Sequence, residues 1–235
     1  MCLGYSKGCL IKGLTVDRAE VLLVANEVWL PYDRISTILG YFSPPDYVKW
    51  VGKVGNREAK RAGTVAMKIG TEVDAWIKAW IKVEPLQKLK SDEAYNAKRA
   101  FETWVKEFVY VLTVPERLFD AELMVTGEPD LYAPYVSTVI DIKCSTSIRP
   151  QYWLQTEFYG RLLHAEKKGI LRLDKHLGVY EYQERMLDED DWEAVKGLVK
   201  AYRFYTKSLT EREENNDVTD TDSTDTEAGS KETLV

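Results

Sequence analysis

The chain has 235 residues, of which 45% are hydrophobic and 30% charged. That is enough apolar material for one good-sized core in one catalytic-sized domain. No apolar run approaches the length that spans a bilayer, and Lys7, Lys12 and Asp17 interrupt the opening stretch before a signal-peptide core can form, so a soluble, cytoplasmic protein with no membrane partner is expected. The formal charge of −6 argues against a polyanionic partner only until it is located: residues 211–235 hold nine acids and two bases, leaving 30 bases and 29 acids in residues 1–210.

Cys2, Cys9 and Cys144 are odd in number, scattered and without a C-x-x-C pair, which predicts neither a disulfide framework nor a structural zinc site. His164 and His176 stand in no spacing that would let either join another soft ligand.

Residues 21–30 (VLLVANEVWL) read as a strand or hairpin edge. Ser43-Pro44-Pro45-Asp46 then marks a loop that opens a short helix over residues 47–51. Residues 57–82 follow a helical period, with Ala66, Ile69, Val73, Trp76, Ile77 and Trp80 at three- and four-residue steps. A second helix is expected over residues 92–112, striped by Ala97, Phe101, Trp104, Val105 and Phe108 and closed by Pro115.

The period then changes to two. Phe119, Ala121, Leu123 and Val125 fall on one face and Asp120, Glu122 and Met124 on the other, as in a half-buried strand. Gly127-Glu128-Pro129 turns the chain into Asp130-Leu131-Tyr132, and residues 134–137 make another turn before the strand 138–143. Three short strands in succession suggest an antiparallel meander. A helix with Pro150 in its first turn should run to about Lys168, ended by Gly169. Strands over 170–173 and 178–183 and a last helix over 189–208 complete an α/β arrangement, a mixed sheet flanked by helices. Residues 211–235, rich in Thr, Asp, Glu and Asn, should form a disordered acidic tail after a single domain spanning 1–210.

The chemistry gathers between Gly127 and Lys143. Side chains alternate along a strand, so Asp141 and Lys143 share one face, expected to be open, while Ile140 and Ile142 face a packed layer. An acid can ligate a hard divalent cation while a neighbouring lysine orients the attacking water, and Asp130 on the adjacent strand would supply a second carboxylate. Oxygen ligands without histidine or thiolate point to Mg²⁺ or Mn²⁺. Asp-x-Lys by itself also fits an ordinary ion pair on a solvated sheet face. What singles it out is the preceding Gly-x-x-Asp and the following helix, on which Gln155 and Tyr159 are four residues apart and so share a face.

In that order the motifs resemble the RecB-type and lambda-exonuclease-like branch of the PD-(D/E)XK nucleases. That branch carries an acid, Gly-x-x-Asp, Asp-x-Lys and Gln-x-x-x-Tyr, matched here by Glu122, residues 127–130, residues 141–143, and Gln155 with Tyr159. The match covers residues 34–183 and includes Ile35-Ser36-Thr37-Ile38-Leu39, which is similar to the segment opening many such proteins. The resemblance implies a restriction-endonuclease-like core and hydrolysis of DNA phosphodiester bonds. Asp130, Asp141 and the Ile142 carbonyl would bind the metal, Lys143 would serve the water, and Gln155 and Tyr159 would contact substrate.

The family often has a metal-binding histidine in a Gly-Thr-x-Val-His stretch, and here Gly70-Thr71-Glu72-Val73-Asp74 puts Asp74 in its place. Asp74 is then either a ligand or a polar residue beside the Val73 and Trp76 stripe. Glu122 is either a direct or indirect ligand or the solvent face of its strand. Some relatives hold an iron–sulfur cluster through one early and three late cysteines, but no cysteine follows Cys144, so no cluster is expected.

Arg149, Tyr152, Trp153, Arg161 and Lys167 lie on or beside the helix of Gln155 and could hold phosphates and stack on bases, or Tyr152 and Trp153 could be core residues. An exonuclease in DNA replication, recombination or repair is the leading expectation. The alternatives are an endonuclease on the same fold and a catalytically silent DNA-binding scaffold. A homo-oligomer and a replication or recombination protein partner are compatible with the resemblance.

Overall fold

Two mixed sheets and six helices make up a computed structural model that describes residues 9–11, 14–16 and 32–221. The strand expected over residues 21–30 lies outside these. A short antiparallel hairpin pairs β1 (Cys9–Ile11) with β2 (Leu14–Val16). β3 (Asp33–Arg34), α1 (Ile35–Tyr41), α2 (Pro45–Val54), α3 (Asn56–Ile81) and α4 (Asp92–Glu107) follow. Next come β4 (Leu118–Asp120), β5 (Val125–Gly127), β6 (Leu131–Ala133) and β7 (Thr138–Lys143). α5 (Pro150–Leu163), β8 (Lys167–Leu173), β9 (Tyr180–Met186) and α6 (Glu189–Thr221) complete the described chain. Among the described residues no helix is long and apolar enough to cross a membrane.

The larger sheet has the order β6-β7-β8-β9, with β7 and β8 parallel and the other pairs antiparallel. Parallel neighbours need a crossover, and α5 supplies it. β7 is covered on both faces. Ile140 joins the α3 and α4 residues Val73, Trp76, Phe101 and Trp104 in one core, whereas Val139 joins Ile35, Ile38, Phe158 and Val195 of α1, α5 and α6 in the other. Period-two alternation thus sends successive β7 side chains into two different cores. Asp141, on the face of Val139, is only 1% exposed. The open strand face expected for it does not exist, because α5 lies across that side of the sheet.

Several sequence-derived boundaries need correction. The strand expected over residues 119–125 is a hairpin, β4–β5, turning at 121–124. The buried Asp120 carboxylate accepts hydrogen bonds from the N–H groups of Glu122 and Leu123, at 3.0 and 2.9 Å, and Met124 takes a positive φ. An aspartate that caps its own following backbone favours a turn over a continued ladder. The three-strand meander is also not formed: β4 and β5 belong to a small sheet ordered β3-β5-β4, while β6 and β7 belong to the larger one.

The second long helix stops at Glu107, not 112. Residues 108–111 are aromatic and β-branched, and Thr113 exchanges backbone hydrogen bonds with Tyr132 at the outer edge of β6. α5 stops at Leu163, where His164 adopts the left-handed conformation and the Ala165 N–H closes on the Gly160 carbonyl. β8 therefore starts at Lys167, and Gly169 sits inside the strand, where a Cβ would strike the Tyr182 ring. β9 likewise runs over 180–186, displaced from the expected 178–183. The last helix, expected over 189–208, extends through Thr221. Glu211, Arg212, Glu213 and Glu214 are good helix formers, so a helix already nucleated by packing propagates through them.

One buried polar network ties α5, β8 and α6 together. Glu157 and Lys168 are both fully buried and paired at 2.7 Å, with Arg161 at 2.8 Å from the other carboxylate oxygen, the Asp188 N–H at 3.1 Å, and Asp191 against the Lys168 ammonium. Every charge in this cluster has a partner, but removing one strands the others in a low-dielectric interior. Lys168→Met is expected to lower the unfolding free energy by about 3–5 kcal/mol, read from urea denaturation. A loss within experimental error would show that the network does not hold these elements.

Candidate active site

The antiparallel β6–β7 pair aligns Leu131 with Ile140, so the next step along the ladder sets Asp130 opposite Asp141. The Ile142 N–H donates to Asp130 Oδ2 at 2.7 Å, which fixes the carboxylate against the strand. Lys143, two residues after Asp141 and on its face, places Nζ 2.6 Å from Asp141 Oδ2. This close ion pair is the charge partner of the buried Oδ2.

α5 covers this face with Tyr152, Gln155 and Tyr159, spaced three and four residues apart. Lys143 Nζ donates to Gln155 Oε1 at 3.1 Å, and Gln155 Nε2 donates to the Tyr159 hydroxyl at 3.0 Å. The Tyr152 ring lies 5.1 Å from the same ammonium. Pro150, pre-set for the first helical position, starts the helix so that these three side chains meet the end of β7.

Gly127 explains how Tyr159 reaches its place. A Cβ at this position would lie 2.3 Å from Tyr159 Cε1 and 3.0 Å from Ile35 Cγ2. The ring lies against the backbone of β5 in the space a side chain at 127 would fill, which only glycine permits.

α3 brings up the other side. Its Asp74 and Lys78 are one turn apart, with Lys78 Nζ 3.0 Å from Asp74 Oδ2. The same ammonium is 3.7 Å from Asp130 Oδ1 and 3.8 Å from Glu128 Oε1. Glu128 also pairs with Arg117 at 2.9 Å. Asp74 Oδ1 is buried and has no hydrogen-bonding partner.

Charge is crowded here. Burial raises the Asp141 pKa above the usual carboxylate range, Lys143 opposes the rise, and Asp130 and Asp74 add to it. Burial and then Asp130 likewise push Asp74 up against the pull of Lys78. For Lys143 and Lys78 burial acts downward, yet the surrounding carboxylates outweigh it and both ammonium groups are held above the ordinary lysine value. Burial raises the Tyr159 hydroxyl, with Asp141 next.

Asp74, Asp130 and Asp141 offer oxygen donors only, and Asp74 Oδ1 is buried with no hydrogen-bonding partner among the described residues. That donor set suits a hard divalent cation such as Mg²⁺ or Mn²⁺. Among the described residues, no group of three or more His, Cys, Asp or Glu side chains is placed to hold a metal ion as it stands. Lys78 and Lys143 lie among the carboxylates instead. Burial pushes the Cys144 thiol up to about 11, which leaves it protonated and a poor nucleophile beside this site.

Asp74, Asp130, Asp141, Lys143, Gln155 and Tyr159 thus lie within one linked set of contacts. Ile142 enters it through its N–H. Glu122 is exposed in the β4–β5 turn, at the other end of β5 from Gly127. Of the flanking residues, Trp153 is buried under Arg185, whose guanidinium is 4.0 Å from the ring centroid, while Arg161 and Lys167 pair with Glu157 and Glu184. Sequence reading missed Lys78, Glu128 and the placement of Tyr152. The four-residue spacing from Asp74 was the available signal for Lys78.

No protein-family model matches the chain, and no curated protein sequence matches it. Among solved structures, an alkaline exonuclease from Laribacter hongkongensis is similar over 81% of this chain and 95% of that one, at 12% identity and a TM-score of 0.47. A phage-related exonuclease from Haemophilus somnus 129PT is similar over 77% and 96%, at 16% identity and a TM-score of 0.42.

Gly127→Ala should force the Tyr159 ring out of its seat and cost about 1–3 kcal/mol of stability through overpacking. Chemical denaturation would measure this. A neutral substitution would mean that the ring moves freely and does not anchor Gln155.

Proposed function

We propose that the chain is a metal-dependent deoxyribonuclease of the PD-(D/E)XK superfamily, on its RecB-type and lambda-exonuclease-like branch, acting as an exonuclease in DNA replication, recombination or repair. The observation that carries this reading is the single chain of contacts from Asp130 through Ile142, Asp141 and Lys143 to Gln155 and Tyr159, reached from two neighbouring strands of one sheet and a covering helix. A lone Asp–Lys pair would not require the glutamine and tyrosine behind it.

Asp74, Asp130 and Asp141, with the Ile142 carbonyl, would hold Mg²⁺ or Mn²⁺. When bound, such an ion supplies Lewis-acid polarisation of the phosphate and a more acidic water. Lys143 has three N–H donors, and its polar partners are Asp141 and Gln155, so one N–H is left to orient the attacking water or a phosphate oxygen. Gln155 fixes the ammonium in place and Tyr159 fixes Gln155. The buried tyrosine works through its hydrogen bond and not by touching DNA. Glu122, on its exposed turn, has no part in this ligand set.

Purified protein incubated with end-labelled linear duplex DNA should shorten it in Mg²⁺ or Mn²⁺ and leave it intact with chelator. Closed circular DNA should resist. Cleavage of the circle would instead make the enzyme an endonuclease, and no cleavage of any substrate would favour a silent scaffold. Asp141→Asn, which keeps the buried shape, and Lys143→Ala should each reduce cleavage by about 100-fold or more. Undiminished cleavage by either variant would overturn the site assignment.

Asp74 has its own test. Asp74→Ala should raise the metal concentration needed for half-maximal cleavage, and Asp74→His should recover part of the loss with a shift toward Mn²⁺, which accepts imidazole more readily. Titrations superimposable on the parent would remove Asp74 from the ligand set.

A further inference from the structure

Lys78 is a second lysine at the site, and neither the Asp-x-Lys motif nor the proposed hydrolysis uses it. Its ammonium stands among three carboxylates, 3.0 Å from Asp74, 3.7 Å from Asp130 and 3.8 Å from Glu128. An Asp–Lys pair one turn apart on a helix is ordinarily a solvated surface contact. Here the lysine side chain is only 17% exposed, and Asp74 keeps its other oxygen buried with no hydrogen-bonding partner among the described residues. Lys143 answers Asp141 at 2.6 Å and Arg117 shares Glu128, which leaves Lys78 as the one ammonium facing both Asp74 and Asp130 among the described residues.

We infer that Lys78 is a resident counter-cation of the carboxylate site: it holds Asp74 and Asp130 together in the metal-free protein, and a divalent cation must displace its ammonium outward to bind. The inference rests on the metal-dependent reading above. Two cations cannot share Asp74 and Asp130 at these distances without strong repulsion, since the site is partly shielded from water. Lysine is suited to yielding, because its charge rides on a flexible four-carbon stem. Glu128 is the group that receives it. It is 45% exposed, already in reach of Nζ, and on the chain segment that leads into Asp130. Lys78 thereby stabilises the empty site and weakens its affinity for metal, so a cation binds tightly only when another partner, such as a bound phosphate, adds to its coordination.

The test uses the full chain stripped with chelator, titrated with Mn²⁺ by calorimetry and melted without metal, so that neither readout depends on cleavage. Lys78→Met should bind Mn²⁺ about fivefold or more tighter than the parent, in the usual range of site-to-site coupling, and should melt lower when metal-free. Lys78→Met combined with Glu128→Gln also removes one of the carboxylates that Lys78 faces, and so part of their mutual repulsion. It should melt closer to the parent while keeping the tighter binding, and it carries the titration if the single variant does not fold. Lys68→Met, at an exposed position on the same helix, removes the same formal charge and should leave the affinity within about twofold if general electrostatics are weak. A parent that binds Mn²⁺ while both Lys78 variants bind it no tighter would overturn this inference and leave the metal-dependent reading standing. Absence of binding in parent and variants alike would overturn both. Binding by the variants alone would support the displacement directly.

Discussion

The burial of Asp141 is the constraint around which this site is arranged. A carboxylate with 1% exposure in the middle of a packed sheet needs a positive charge within reach. Lys143 supplies it from two residues along the same strand, which requires β7 to stay extended to its last residue. The ammonium then needs support in turn, and α5 gives it a glutamine amide and an aromatic face. Helix, strand and neighbouring strand are thus held in one geometry by the need to keep one charge compensated.

α5 serves this geometry because it is clamped on two sides. Gln155 and Tyr159 face the end of β7, while Glu157, about 200° around the helix from Gln155, sits in the fully paired cluster with Lys168, Asp191 and Arg161. α6 is fixed to the small sheet in a similar way: Arg203 donates to Asp33 at 3.1 Å and to the Met124 carbonyl at 2.9 Å. Polar contacts of this kind add orientation to a core whose apolar packing alone would tolerate sliding.

Much of the site was legible in the sequence because its spacing rules are local. Alternation along 138–143 put Asp141 and Lys143 together, helical spacing put Gln155 and Tyr159 together, and Pro150 marked the start of their helix. Burial was not legible, since alternation gives a direction and not what lies across from it. The hairpin at 121–124 was hidden because Asp120, Glu122 and Met124 alternate as a strand would, while the deciding interaction is a carboxylate binding its own backbone. The end of α5 was misplaced for a comparable reason. Gly169 reads as a helix stop, yet its missing side chain makes room for Tyr182, a contact between strands that no single-sequence period contains. Lys78 resembled one of many helix-surface lysines until Glu128 and Asp130 were seen to converge on it from another element.

The seating of Tyr159 on Gly127 reaches beyond the present sequence. These positions are 32 residues apart and on different elements, yet neither can be altered freely while the other stays. A side chain at 127 would require a smaller group at 159, and a smaller group at 159 would lose the hydroxyl that accepts from Gln155. Drift through either position alone passes through a crowded or a hollow intermediate. Descendants of this chain should therefore keep the glycine and the tyrosine together or lose them together, and a lineage with only one of the two would mark a site that has stopped holding its glutamine.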